Sequence, residues 1–130
     1  MIIDSLPDSR VRDRFVDVRD SSPSLTGYAT KFGSSGYVVD SVPLAILAAM
    51  RSSGLMETMR EIVQCGGDTD TIGAMFGQIL GAASGTGGLP MDIVNQIDAV
   101  SLVRETAVNF ARTSIVMNHR FQAGDGSRRS

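Results

Sequence analysis

The sequence predicts an all-α protein, and three observations carry that expectation. Apolar residues recur at helical spacing in one segment after another. No segment alternates apolar and polar residues as a half-buried strand would. Gly and Pro fall between the helical stretches as punctuation. A length of 130 residues gives room for one domain with a hydrophobic core.

Residues 1–35 are expected to be irregular. Asp8 to Asp20 is charge-rich, with at most a helical turn around Val11, Phe15 and Val18, and Ser21 to Ser35 reads as a Ser/Gly/Thr loop around Pro23, Gly27 and Gly33. Residues 36–122 are expected to be helical. Ser41 precedes Pro43 as a cap precedes a first turn, and Leu44 to Met50 follows, apolar on nearly every side. Such a helix must be buried, and Gly54 suits its end. A second helix runs from about Met56 to Cys65, with Met56, Met59 and Val63 on one face, until Gly66-Gly67 stops it. A third spans about Asp70 to Ser84, with Ile72, Met75, Phe76, Ile79, Leu80 and Ala83 forming one stripe. Pro90 and Asp92 open a short fourth helix. A fifth, about Val100 to Asn118, carries Val100, Val103, Ala107, Phe110 and Ser114 along one side. Residues 123–130 read as a disordered tail.

Composition narrows the function. Hydrophobic residues make up 42% and charged residues 20%, as in an ordinary globular domain; aromatics at 5% leave the core to Leu, Ile, Val, Met and Ala. A net charge of −2 with scattered Lys and Arg offers no footprint for nucleic acid. One cysteine, Cys65, excludes an internal disulfide and a Cys-cluster metal site. Met1-Ile2-Ile3 runs at once into Asp4, which leaves no leader-like apolar stretch, and no apolar run reaches membrane length. A cytoplasmic protein without membrane contact is expected.

The chemistry is concentrated in Gly66-Gly67-Asp68-Thr69-Asp70-Thr71. Two carboxylates and a hydroxyl follow a glycine pair at a helix start. These are hard oxygen ligands suited to Mg²⁺ or Ca²⁺, and the glycines let the backbone turn tightly. Helix capping is the competing account and, on these residues alone, the preferred one. An EF-hand is excluded, because Ile72 and Ile79 occupy positions where a calcium loop needs oxygen ligands. Gly73, Gly77 and Gly81 recur every four residues and Gly85 continues the series. Each interior glycine costs a helix up to about 1 kcal/mol, so close packing against another helix is expected at Gly77.

The run from Ser35-Gly36-Tyr37 through Asp40 to Pro43, then Gly66 to Ala74, Leu80-Gly81-Ala82 and Gly88-Leu89-Pro90, resembles the ADP-ribosylglycohydrolase family over about residues 34–115. The resemblance implies the C-terminal portion of that family's helical fold, with a two-metal Mg²⁺ or Mn²⁺ centre. It implies Asp68, Asp70 and Thr71 as metal ligands, with Asp68 and Asp70 also placed to assist proton transfer. Tyr37 and Gly67 fall beside the ADP-ribose cleft by the same likeness. The implied substrate is an ADP-ribosylated protein or a small ADP-ribose conjugate. The family's other ligands, a Glu and a Thr-Asp-Asp set, have no counterpart here; Asp17, Asp20 and Asp40 lie in different contexts. The chain is therefore expected to be an incomplete, inactive piece. The missing ligands would come from a separate chain. An apolar patch left on Val42 to Met50 by the sparse cover of residues 1–35 is expected to drive self-association. The alternative is a non-catalytic, crystallin-like or partner-binding helical remnant.

Overall fold

The computed structural model describes residues 2–124, with side chains described as far as residue 115. The described residues form seven α-helices and no strand. They fall into two units, Met1–Leu89 and Pro90–Ser130.

In the first unit, residues expected to be irregular are helical, which corrects the sequence expectation. Helix α1 (Arg10–Ser21) is capped by Ser9, whose hydroxyl accepts the Arg12 N–H at 3.3 Å. Its Val11, Phe15 and Val18 line up inward, and Val18 joins the core. Helix α2 (Leu25–Phe32) is capped by Ser24, which accepts the Gly27 N–H at 3.0 Å, and closes at Gly33 with φ 93°. Leu25, Tyr28, Ala29 and Phe32 lie on one side of it. The Ser and Gly residues that read as loop are its caps and its end.

Helix α3 (Val38–Arg51) is the centre of the unit, packed against α1, α2 and α5. It begins a turn before the expected Ser41 cap. Ser41 is buried inside it and donates its hydroxyl to the Tyr37 carbonyl at 3.1 Å. Pro43 sits at the sixth position and has no N–H to offer the Val39 carbonyl one turn back. The buried Tyr28 hydroxyl donates to that carbonyl at 3.4 Å instead. Leu44, Ala45, Leu47 and Ala48 are at most 2% exposed. Most of the expected apolar patch on Val42 to Met50 is thus covered, by α1, α2 and α5, while Met50 at its end stays 74% exposed.

Helix α4 (Leu55–Cys65) starts at Gly54, with φ 150°, so that glycine opens this helix and does not close the one before. Its inward residues are Leu55, Thr58, Met59 and Ile62. Val63, expected inward, is 66% exposed, and Met56 is exposed as well. Helix α5 (Thr69–Ser84) packs on α3 and α4 and buries Ile72, Gly73 and Phe76. The outer half of its stripe is less covered, and Ile79 is exposed. The glycine series meets a neighbour only at its start. A Cβ on Gly73 would lie 3.2 Å from Met59 Sδ and one on Gly77 3.8 Å from Met59 Cε, with nothing within 4 Å of Gly81 or Gly85. What approaches is a methionine side chain, not a backbone.

The second unit holds α6 (Met91–Val94) and α7 (Val100–Gly124). The latter runs past the expected Asn118. Its Val103 and Phe110 are exposed. Ala123 and Gly124 end the helix, and residues 125–130 of the expected tail lie outside the described residues.

Candidate metal and substrate site

The turn between α4 and α5 is built from two successive residues in the left-handed region, Gly66 at φ 68° and Gly67 at φ 71°. That conformation is costly for any residue with a Cβ. Gly67 has a second reason to be glycine: a Cβ there would fall on the Ser34 carbonyl oxygen. The same carbonyl accepts the Asp68 N–H at 2.8 Å, and the Ser34 hydroxyl donates to the Cys65 carbonyl at 3.3 Å. From the other side, a Cβ on Gly36 would fall on Asp68 Oδ2. Two loops, 34–36 and 65–68, are therefore pressed together, and glycine allows the contact on each.

Asp68 caps α5, its Oδ1 accepting the Thr71 N–H at 3.4 Å. The capping account of this residue is thus realised. It does not exhaust the carboxylate, whose Oδ2 lies against Gly36. Asp70 stands exposed in the first turn of α5. A side-chain hydrogen bond with Asp68 holds its carboxyl below the usual range, helped by the backbone N–H groups of Thr71 and of Asp70 itself and opposed by desolvation. Asp68 and Asp70 stand two residues apart at the positive end of a 16-residue helix. Thr71 is exposed one residue further on.

The donor chemistry suits a hard divalent ion. Carboxylates at positions 68 and 70 and the Thr71 hydroxyl are hard oxygen donors at one helix start. The donor number is short: among the described residues, no cluster of three Asp, Glu, His or Cys is placed to hold a metal. Asp40 accepts the Ser35 hydroxyl at 2.7 Å and is engaged within its own loop.

Tyr37 is 49% exposed at the N-terminus of α3, next to Gly36. Its hydroxyl accepts a hydrogen bond from Arg10 Nη2 at 2.6 Å, and the same guanidinium lies 5.5 Å from the ring centroid. The Arg10–Tyr37 contact was not legible in the sequence, since a lone Arg after Ser9 carries no signal until α1 brings it across to Tyr37. Cys65 is half-buried, and burial and the nearby Glu61 push its thiol up, as befits an inert packed cysteine. The single histidine, His119, lies in the part of α7 whose side chains are outside the described residues.

No curated protein and no solved structure matches the chain. The family model described as ADP-ribosylglycohydrolase matches residues 2–122, and so extends the likeness from the 34–115 motifs back through α1 and α2. With the all-α fold, that match places the chain in the ADP-ribosylglycohydrolase family.

Proposed function

We propose that this chain contributes to removal of ADP-ribose from a modified protein or a small conjugate, at a site formed by Asp68, Asp70 and Thr71. The observation that carries the reading is the placement of Asp68 at the cap and Asp70 in the first turn of α5, in a chain of this family. Asp68 and Asp70 would hold a Mg²⁺ or Mn²⁺ ion through carboxylate oxygens, with Thr71 adding its hydroxyl. Such an ion, when bound, supplies charge to orient ribose hydroxyls and acidify a water. Asp68 is the fixed member of the pair, anchored by its N–H to Ser34 and its carboxylate to Thr71. Asp70 is the exposed member. Gly67 and Gly36 keep side chains away from the pair, and Tyr37 offers an aromatic face beside it. The setting on this reading is the cytoplasm; among the described residues no helix is long and apolar enough to cross a membrane.

A second reading, a non-catalytic helical or crystallin-like protein, draws on the capping role of Asp68 and the absence of a third acidic ligand among the described residues. On the first reading, completing the metal shell takes a separate chain or a second copy of this one. Two measurements decide. Titration with Mn²⁺, followed by electron paramagnetic resonance, is expected to show weak binding that Asp70→Ala abolishes; binding that survives the substitution rules out the metal role. Release of ADP-ribose from a modified peptide with Mn²⁺ present, lost in Asp70→Ala, marks an enzyme. No Mn²⁺ binding by the parent marks the second reading.

A further inference from the structure

We infer that helix α7 pairs antiparallel with the α7 of a second copy of this chain, Phe110 of each packing on Ala107 of the other. Along α7, Val100, Val103, Ala107, Phe110 and Ser114 follow one another at alternating steps of three and four, the spacing of a seam between two helices. Ser101, Glu105, Asn109 and Arg112 occupy the opposite side, so the helix is two-faced. The apolar side lies open: Val103 is 61% and Phe110 73% exposed, and Ala107 and Ser114 are exposed with them. This face is separate from the Val42 to Met50 patch of α3, and the inference does not depend on the reading of Asp68 and Asp70.

The order of sizes along the stripe identifies its occupant. Bulky residues stand at 103 and 110 and small ones at 107 and 114. A two-fold axis between residues 108 and 109 sets Phe110 opposite Ala107 and Val103 opposite Ser114, in both directions, so each bulky side chain meets a small one. A parallel pair would stack Phe110 on Phe110 and Ala107 on Ala107, alternating crowding with voids. The flanks favour self-contact as well. Thr106, Ala111 and Thr113 beside the stripe are uncharged, and the Thr113 hydroxyl already donates to the Asn109 carbonyl of its own helix at 2.9 Å. Arg104, the charged neighbour of the stripe, is drawn aside to Asn95, its Nη2 donating to Asn95 Oδ1 at 3.0 Å. The seam from Val100 to Ser114 is about 21 Å long. Two such faces bury about 1,000 Å² in total, the lower edge for a specific interface. The pair is therefore weak and reversible, with a dissociation constant on the order of 10–100 μM, and comes apart in dilute solution.

The test is sedimentation equilibrium of the full chain over about 5 to 500 μM, a range that brackets that constant. The mass is expected to rise from that of one chain to that of two. Phe110→Ala is expected to weaken pairing about tenfold or more, and Ala107→Phe, which sets ring against ring, to weaken it too. An equal mixture of the two variants should pair more tightly than either alone, because the ring at 110 that one chain has lost is met by the ring at 107 gained by the other. Asn109→Glu, on the polar side, should leave pairing unchanged. Orientation is read by oxidising Val103→Cys and Ser114→Cys chains, each also carrying Cys65→Ser, separately and mixed. Antiparallel pairing joins the two kinds of chain to each other; chains that join only to their own kind overturn it. All these α7 positions are exposed, so circular dichroism of the variants should match that of the parent. A parent that stays monomeric throughout overturns the inference and leaves the stripe to a different partner. Growth beyond two copies, or pairing indifferent to Phe110→Ala, overturns it as well.

Discussion

Tyr28 shows how one residue can carry two jobs. Its ring is part of the core, 4.9 Å from that of Phe32, and its hydroxyl serves the Val39 carbonyl that Pro43 leaves without an amide donor. Tyr28→Phe keeps the ring and strands that carbonyl, so it is expected to cost about 1–3 kcal/mol in urea unfolding at neutral pH. Burial, the largest cause, also pushes the phenol up from 10.0 to about 12. The neutral form is therefore favoured in the folded state. The stability this confers is complete below pH 10 and is lost as pH rises from 10 through 12. Alkaline unfolding followed by circular dichroism should fall over that window in the parent, and the fall should be shallower in Tyr28→Phe. At this scale the sequence was half legible. Pro43 was read as a first-turn residue, and nothing in a Thr-Gly-Tyr-Ala run says that its Tyr will cross to another helix.

Elements were legible where the stripe was clean and illegible where caps looked like loops. The third predicted helix is found within one residue of its expected start because Ile72, Phe76 and Leu80 repeat without interruption. Helix α2 escaped because Ser24, Gly27 and Gly33, read as loop chemistry, frame a helix of eight residues. The face of α4 was misassigned because Met56 and Val63 have the same apolar character as Leu55 and Ile62. Only packing against α2 and α5 selects between the two sets. The glycine series of α5 gives a graded test. At Gly77 a Cβ would make an ordinary 3.8 Å contact with Met59, beside a hollow of about 120 Å³ that Leu55 and Leu80 also line. Gly77→Ala should therefore raise stability by up to about 1 kcal/mol through helix propensity. At Gly73 the corresponding distance is 3.2 Å, so Met59 must move and the gain should be smaller or reversed. Thermal melts of the two variants, with Gly73→Ala below Gly77→Ala, check the order.

Among the described residues the buried core belongs to the first unit. Every residue of the buried apolar cluster lies between Val18 and Phe76, and α3 supplies the largest share. Leu44, with no exposed surface, is expected to cost about 2–5 kcal/mol when cut to Ala. Phe110, 73% exposed on α7, should change stability by about 0.5 kcal/mol or less for the same truncation. Denaturant unfolding of both variants tests the contrast, and a comparable loss at Phe110 would contradict the exposure of that side chain. The all-α class, the burial of α3 and the membership of the family were all present in the sequence. What covers α3 was not, because it depends on caps at Ser9 and Ser24 that only become caps once the helices behind them form.

The clasp between Ser34 and Asp68 has a consequence for how any ligand would be received. The carbonyl of Ser34 holds the Asp68 amide, and glycine at 67 and at 36 lets the two loops meet without a side chain between them. The cost of immobilising those loops is met when the chain folds, not when a ligand arrives. On the proposed function, Asp68 would meet its ligand as part of a preset mould, whose loop entropy is already spent.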